Sequence, residues 1–280
     1  MRDLLHFEYR RLFRRASLYV CLGVIAAPLM MMMLILWLSK LEDTTISYYS
    51  CVSTAVRFAN LSIMSVIFTS IFVCEDHSRG TEKTIYSLGF SRTKLFFSKF
   101  LASATGTALL YSVVMLFGFS AALFFGSPEK KDEAIYFSID SLMAETEPNI
   151  FLYAVQQFFV IMALHAFYYM FAELVKKTGV SIVLGVFIPG SVLMLAFIIF
   201  SILGNIFQDN EAVSKALMNI FFTFSKYWLP SNTASMVSLF SVLIGDQSAD
   251  ITISIIVNIG YIAVFGGLAL LITSKKEIKG

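Results

Sequence analysis

Charge is what this sequence has least of. Only 14% of its 280 residues are Asp, Glu, Lys or Arg, where a soluble globular domain carries about a quarter. A chain that is 58% hydrophobic cannot clothe a water-exposed surface with so few charges, so water is not its main solvent. The net charge of +2 is too small to draw in a nucleic acid, and no such partner is expected. Cysteine is rare: Cys21, Cys51 and Cys74 have no metal-ligand spacing and imply no disulfide framework. The G-x-x-x-x-G-K-[ST] loop is missing, and with it the backbone cradle and lysine that hold a nucleotide's phosphates. H-E-x-x-H and G-x-S-x-G are missing too, and the apolar segments offer almost no acid, base or nucleophile. The chain is therefore expected to be no enzyme and to bind no cofactor or metal itself.

Long apolar runs are what the sequence has in quantity. A helix needs about 20 mostly apolar residues to cross the hydrocarbon of a bilayer, because its backbone must satisfy its own hydrogen bonds there. Six segments qualify: 17–38, 52–74, 100–125, 150–171, 180–203 and 251–273. The first follows arginines, as a signal peptide would, but is too long for one and reads as a retained span. The stretch 234–244 is apolar but too short to cross, so it reads as re-entrant or interfacial. The expected fold is an all-α polytopic membrane domain over 1–280, with 204–250 as an outer re-entrant region.

Six spans put both termini on one side, and the charges identify it. The N-terminal segment carries Arg2, Arg10, Arg11, Arg14 and Arg15, and the loop after span two carries Arg79, Lys83, Arg92, Lys94 and Lys99. With Lys176, Lys177, Lys275, Lys276 and Lys279, that side holds 15 of the 21 basic residues. Positive loops stay in the cytoplasm, so both termini are expected there, in a plasma membrane.

Between and within the spans lie features with mechanical content. Residues 2–16 read as an amphipathic interfacial helix, with Leu5, Tyr9, Leu12, Phe13 and Ala16 on one face and Arg10, Arg11, Arg14 and Arg15 on the other. Its arginines either meet anionic lipid head groups or simply flank the span. In the loop from Glu75 to Lys99, Gly80 breaks from span two, Thr81 caps a short helix over 80–88, Gly89 ends it, and Ser91 caps span three. That helix offers Ile85, Tyr86 and Leu88 to a partner's groove. Ser62, Ser65 and Thr69 line one side of span two, where they either border a path or hydrogen-bond to neighbouring helices. Pro189-Gly190 interrupts span five and suits a hinge. His165, deep in span four, reads as a hydrogen-bonded packing residue rather than a gate. Ala102 and Gly106 form a small-xxx-small pair in span three.

These ordered features resemble the permeases of the ABC-2 (type V) exporter family over essentially the whole chain. The arginine-rich 2–16 helix resembles that family's connecting helix. Glu75 closing span two, Gly80-Thr81 opening a short helix, and Ser91-Arg92 leading into span three resemble its coupling helix. The outer region with Pro230 resembles its re-entrant helices. Gly89-Phe90 departs from the family, many of whose members have proline before the Ser-Arg pair.

The resemblance implies a permease that pairs as a homodimer or heterodimer. Two copies of a separate ATPase subunit would carry ATP and Mg and dock through Glu75, Gly80, Thr81, Ile85, Tyr86, Leu88 and Arg92. Ser62, Ser65, Thr69, Pro189 and Gly190 would border the substrate route. The Phe- and Met-rich spans are similar to those of bacterial permeases that export amphipathic peptides such as phenol-soluble modulins and bacteriocins. An ion-coupled carrier, which should bear intramembrane acids, and a non-transporting scaffold or sensor are the competing readings.

Overall fold

Helix is the only regular structure among the described residues of this computed structural model, which are 2–41, 46, 48–79, 89–126, 150–207, 211–228 and 251–275. The order is α1 (Arg2–Arg14), α2 (Ala16–Leu41), α3 (Tyr48–Phe58), α4 (Leu61–Arg79), α5 (Arg92–Phe125), α6 (Ile150–Val175), α7 (Thr178–Ile206), α8 (Glu211–Tyr227) and α9 (Ile251–Lys275). Six of these, α2, α4, α5, α6, α7 and α9, are long and apolar enough to cross a membrane. The chain is a multi-pass helical membrane protein.

Two helices differ instructively from the sequence expectation. The run 52–74 is not one helix: α3 stops at Phe58 and α4 starts at Leu61. Asn60 makes the break, with φ +45°, a left-handed conformation that asparagine tolerates better than most residues. Its carbonyl then accepts from Ile63 N at 3.0 Å and Met64 N at 3.1 Å, which starts α4. The third span begins at Arg92 rather than at residue 100. Ser91 caps it in extended conformation, its hydroxyl accepting from Lys94 N. At 34 residues α5 is roughly 50 Å long, so its first turns project past the hydrocarbon and reach α1.

Burial sorts the spans. Within their most apolar windows α4 and α6 bury 61% of their residues inside the chain, whereas α7 buries 12% and α9 11%. The core therefore runs along α4, α5 and α6, where Phe68, Phe72, Leu110, Val160, Ile161 and Tyr169 are almost fully buried. Small residues let these helices approach closely. Gly106 of α5 lies against the Phe68 ring and Leu12, and Gly185 of α7 lies against Val66 and Tyr168. The expected Ala102/Gly106 pair thus faces the core, with Ala102 fully buried.

Past the turn at Phe207, α8 runs back along α7. Phe221 packs between Phe197 and Phe200, with ring centroids 5.7 Å from each. Further along, Trp228 Nε1–H donates to the Pro189 carbonyl at 2.9 Å. The residues 80–88 of the expected short helix, the outer segment 127–149, and Pro230 with 234–244 lie outside the described residues.

Candidate functional site

Two polar clusters interrupt the apolar interior, and the first is at the end of the bundle that carries α1. Three cations converge on Asp76 of α4, which is 1% exposed. Arg11 Nη2 donates to Oδ2, Arg15 Nη2 donates to Oδ1 at 2.8 Å, and Lys99 Nζ of α5 lies 3.1 Å from Oδ2. Arg15 also donates from Nη1 to the Phe72 carbonyl at 2.9 Å and pairs with Glu75 at 3.3 Å. Its guanidinium stacks 4.5 Å from the Phe72 ring centroid, a cation–π contact that shields the pair from solvent. One residue beyond Asp76, His77 Nε2 lies 3.4 Å from Glu173 Oε2 of α6. One carboxylate thus fastens α1, α4 and α5 together, and its neighbour ties α4 to α6.

The helix register explains the seam. Leu4, Glu8 and Leu12 form the buried stripe of α1, one residue every fourth position along a single face. Tyr9 reaches α5, where its hydroxyl donates to Thr105 Oγ1 at 2.9 Å, since that hydroxyl already donates to the Leu101 carbonyl. The structure therefore divides the arginines of α1 and of the joint that follows it, where Arg15 lies. Arg11 and Arg15 turn inward to Asp76, whereas Arg10 and Arg14 are exposed beside the exposed Phe7 and Phe13.

The second cluster surrounds His165, 1% exposed on α6. Its Nδ1 lies 3.1 Å from Thr69 Oγ1 of α4 and 3.2 Å from Thr107 Oγ1 of α5, and its Nε2 lies 3.2 Å from Ser103 Oγ. Ser103 donates its proton to the Phe100 carbonyl at 3.0 Å, so its oxygen accepts from Nε2–H, which leaves Nδ1 to accept from a threonine. Phe100 and Tyr169 close over the ring with centroids 5.4 and 6.1 Å away. Replacing His165 with leucine should lower stability by only about 1 kcal/mol, because the hydroxyls fall back on their own helix carbonyls. A thermal midpoint in detergent checks this, and a loss several times larger would show that the ring does more than hydrogen-bond. A smaller polar contact joins α6 to α9, where Gln156 Nε2 donates to Ser254 Oγ at 3.1 Å.

The residues singled out in the sequence fall as follows. Glu75 belongs to the first cluster through Arg15. Arg92 Nη1 donates to the Ser274 carbonyl at 3.0 Å, joining the start of α5 to the end of α9. Gly80, Thr81, Ile85, Tyr86 and Leu88 lie outside the described residues. Ser62, Ser65 and Thr69 are all buried in the bundle, and Thr69 meets His165. Pro189 is buried inside α7 with Gly190 beside it, and its carbonyl receives Trp228. α4 and α7 touch through Ser70 and Ser181, whose hydroxyls are 2.9 Å apart. No motif in the sequence points to Asp76, Glu8 or Glu173. The available signal was charge next to or inside apolar segments, which is costly unless paired.

The chain matches no family model and no curated protein.

Proposed function

We propose that this chain is the membrane-embedded permease subunit of an ABC-2 type exporter, working with a separate ATPase. The observation that carries this reading is the polar clasp around Asp76. Residues 80–91 connect α4 to α5, and the clasp joins the adjacent ends of both helices to α1. Force applied to that connection reaches three helices at once, through hydrogen-bonded charges rather than a loose linker. A segment that transmits force in this way suits the docking of an ATP-driven partner, with Ile85, Tyr86 and Leu88 as its apolar contacts.

On this reading two ATPase copies supply ATP and Mg, and the chain itself hydrolyses nothing. The apolar surfaces of α7 and α9, barely buried within one chain, meet lipid and a second permease copy. The segment α8, folded back along α7, is the first part of a re-entrant outer region. Thr69, Ser62 and Ser65, with the Pro189-Gly190 interruption, border a route for a hydrophobic or amphipathic cargo, an amphipathic peptide being the class favoured by the Phe- and Met-rich spans. The membrane is a bacterial plasma membrane, and the basic loops favour both termini on its cytoplasmic side.

The test is a pull-down of the tagged chain from native membranes, followed by partner identification and an ATPase assay. A stoichiometric ATP-binding subunit supports the reading, and a lone chain without ATPase activity, under conditions that keep other complexes intact, overturns it. The paired substitution Ile85→Asp and Tyr86→Asp should then cut cargo-stimulated hydrolysis by about tenfold or more while leaving the thermal midpoint of the permease unchanged. Full stimulation in that variant would remove these residues from the docking surface.

A further inference from the structure

The middle of the buried stripe of α1 is a carboxyl group. Glu8 sits between Leu4 and Leu12 and is 0% exposed. Neither of its oxygens receives a hydrogen bond. The nearest cation, Arg11 Nη1, stands 3.5 Å from Oε2, while Arg11 Nη2 is committed to Asp76 and Arg11 Nε has no partner. Arg15 and Lys99 are aimed at Asp76 as well. The closest charge contact of each of the three cations therefore goes to Asp76, Arg15 adds a longer one to Glu75 at 3.3 Å, and Glu8 is left with an ion pair at 3.5 Å and no donor. A buried carboxylate normally collects two or three donors, and without them the charged form is the expensive one.

We propose that Glu8 is a proton-binding site built into the α1 seam, neutral while α1 is docked and ionised as α1 loosens. The ligand is a single proton on a carboxylate oxygen, and its release leaves a bare anion between two leucines. The charged groups that face it are Arg11 on α1, Arg15 just past the end of α1, Lys99 on α5 and Asp76 on α4. Glu75 and His77 flank Asp76 on α4, the latter paired with Glu173 on α6. Burial pushes the Glu8 carboxyl above its ordinary range; Arg11, Lys99 and Arg15 pull it back, and Asp76 adds to the push. The net direction is upward, in agreement with the missing donors.

The consequence is a seam whose grip depends on proton concentration. A carboxyl that holds its proton more tightly when folded contributes stability at low pH, and that contribution is lost as pH rises through its folded value. The inference depends on the α1 seam alone, so it stands or falls separately from the transport reading.

The experiment compares thermal midpoints of the full chain in detergent, wild type against Glu8→Gln and Glu8→Leu, from about pH 4.5 to about pH 9. Both variants should match or exceed wild type at the acid end, and their advantage should widen by at least about 2 °C toward the alkaline end. An ionised, ion-paired Glu8 gives the opposite sign, with both variants less stable than wild type by a margin constant or growing with pH, and that result overturns the proposal. Infrared spectroscopy of the wild-type chain gives a readout that needs no folded variant. A protonated-carboxyl carbonyl band that titrates above the ordinary carboxylate range, and is assigned to Glu8 by site-specific isotope labelling, supports the site. Its absence at the acid end of the range overturns it.

Discussion

Asp76→Ala is expected to destabilise the chain by about 3–5 kcal/mol, the usual cost of removing one partner from a buried charge cluster. Three cations are left without their shared anion, and Lys99, with its side chain 3% exposed, has the least access to water as a substitute. The loss should appear as a large drop in thermal midpoint and as earlier proteolysis at the junction of α1 and α2. Truncating Lys99 to Met in the Asp76→Ala background should recover part of the loss, because the variant then buries one uncompensated charge fewer. A drop in the single variant no greater than that of an exposed pair, below about 1 kcal/mol, would show that the clasp is solvated in solution. It would also remove the mechanical support for the exporter reading.

Gly106→Leu should be the most damaging apolar substitution. A Cβ at this position runs into the Phe68 ring and comes within 3.1 Å of Leu12 Cδ1, and Phe68 and Leu12 are both 0% exposed. Neither side chain has space to yield, so the added volume must part α5 from α4 and α1. Overpacking of this kind costs about 1–3 kcal/mol, and more where backbone must move. Gly23→Ala is the control. Nothing stands within 4 Å of a Cβ there, and removing a glycine from a helix interior should stabilise α2 by about 0.5–1 kcal/mol. Equal behaviour of the two variants in a thermal-melt series would contradict the packing described for α5.

The spans were legible because hydrocarbon imposes one rule on every segment, and 20 apolar residues satisfy it whatever surrounds them. The break at Asn60 was not, since one polar residue inside an apolar run signals a turn only once its backbone is seen in the left-handed region. Ser91 was read correctly as a cap because a cap is local in sequence. The clasp is the reverse case. Arg11 and Asp76 are 65 positions apart, so no spacing rule brings them together, and neither sequence reading of the arginines, as lipid contacts or as the flank of a span, turns any of them inward. The stripe Leu4, Glu8, Leu12 was hidden for a related reason: a glutamate on the buried face contradicts the apolar pattern by which a face is recognised. Thr69 is legible as part of a hydroxyl stripe, but its partner His165 comes from another helix, and the other hydroxyls on that ring, Ser103 and Thr107, come from a third.

The contact between Trp228 and Pro189 also gives the molecule a built-in optical reporter. The chain has two tryptophans; Trp37 stands exposed on α2, whereas the indole of Trp228 stacks 5.5 Å from Phe224 and meets Tyr261 edge-on at 6.2 Å. In a chain carrying Trp37→Phe the remaining indole emits from its contacts with α7, α8 and α9, its N–H held by a carbonyl at the proline interruption. Its emission colour and quenching then read whether those three contacts hold, without a dye or a label.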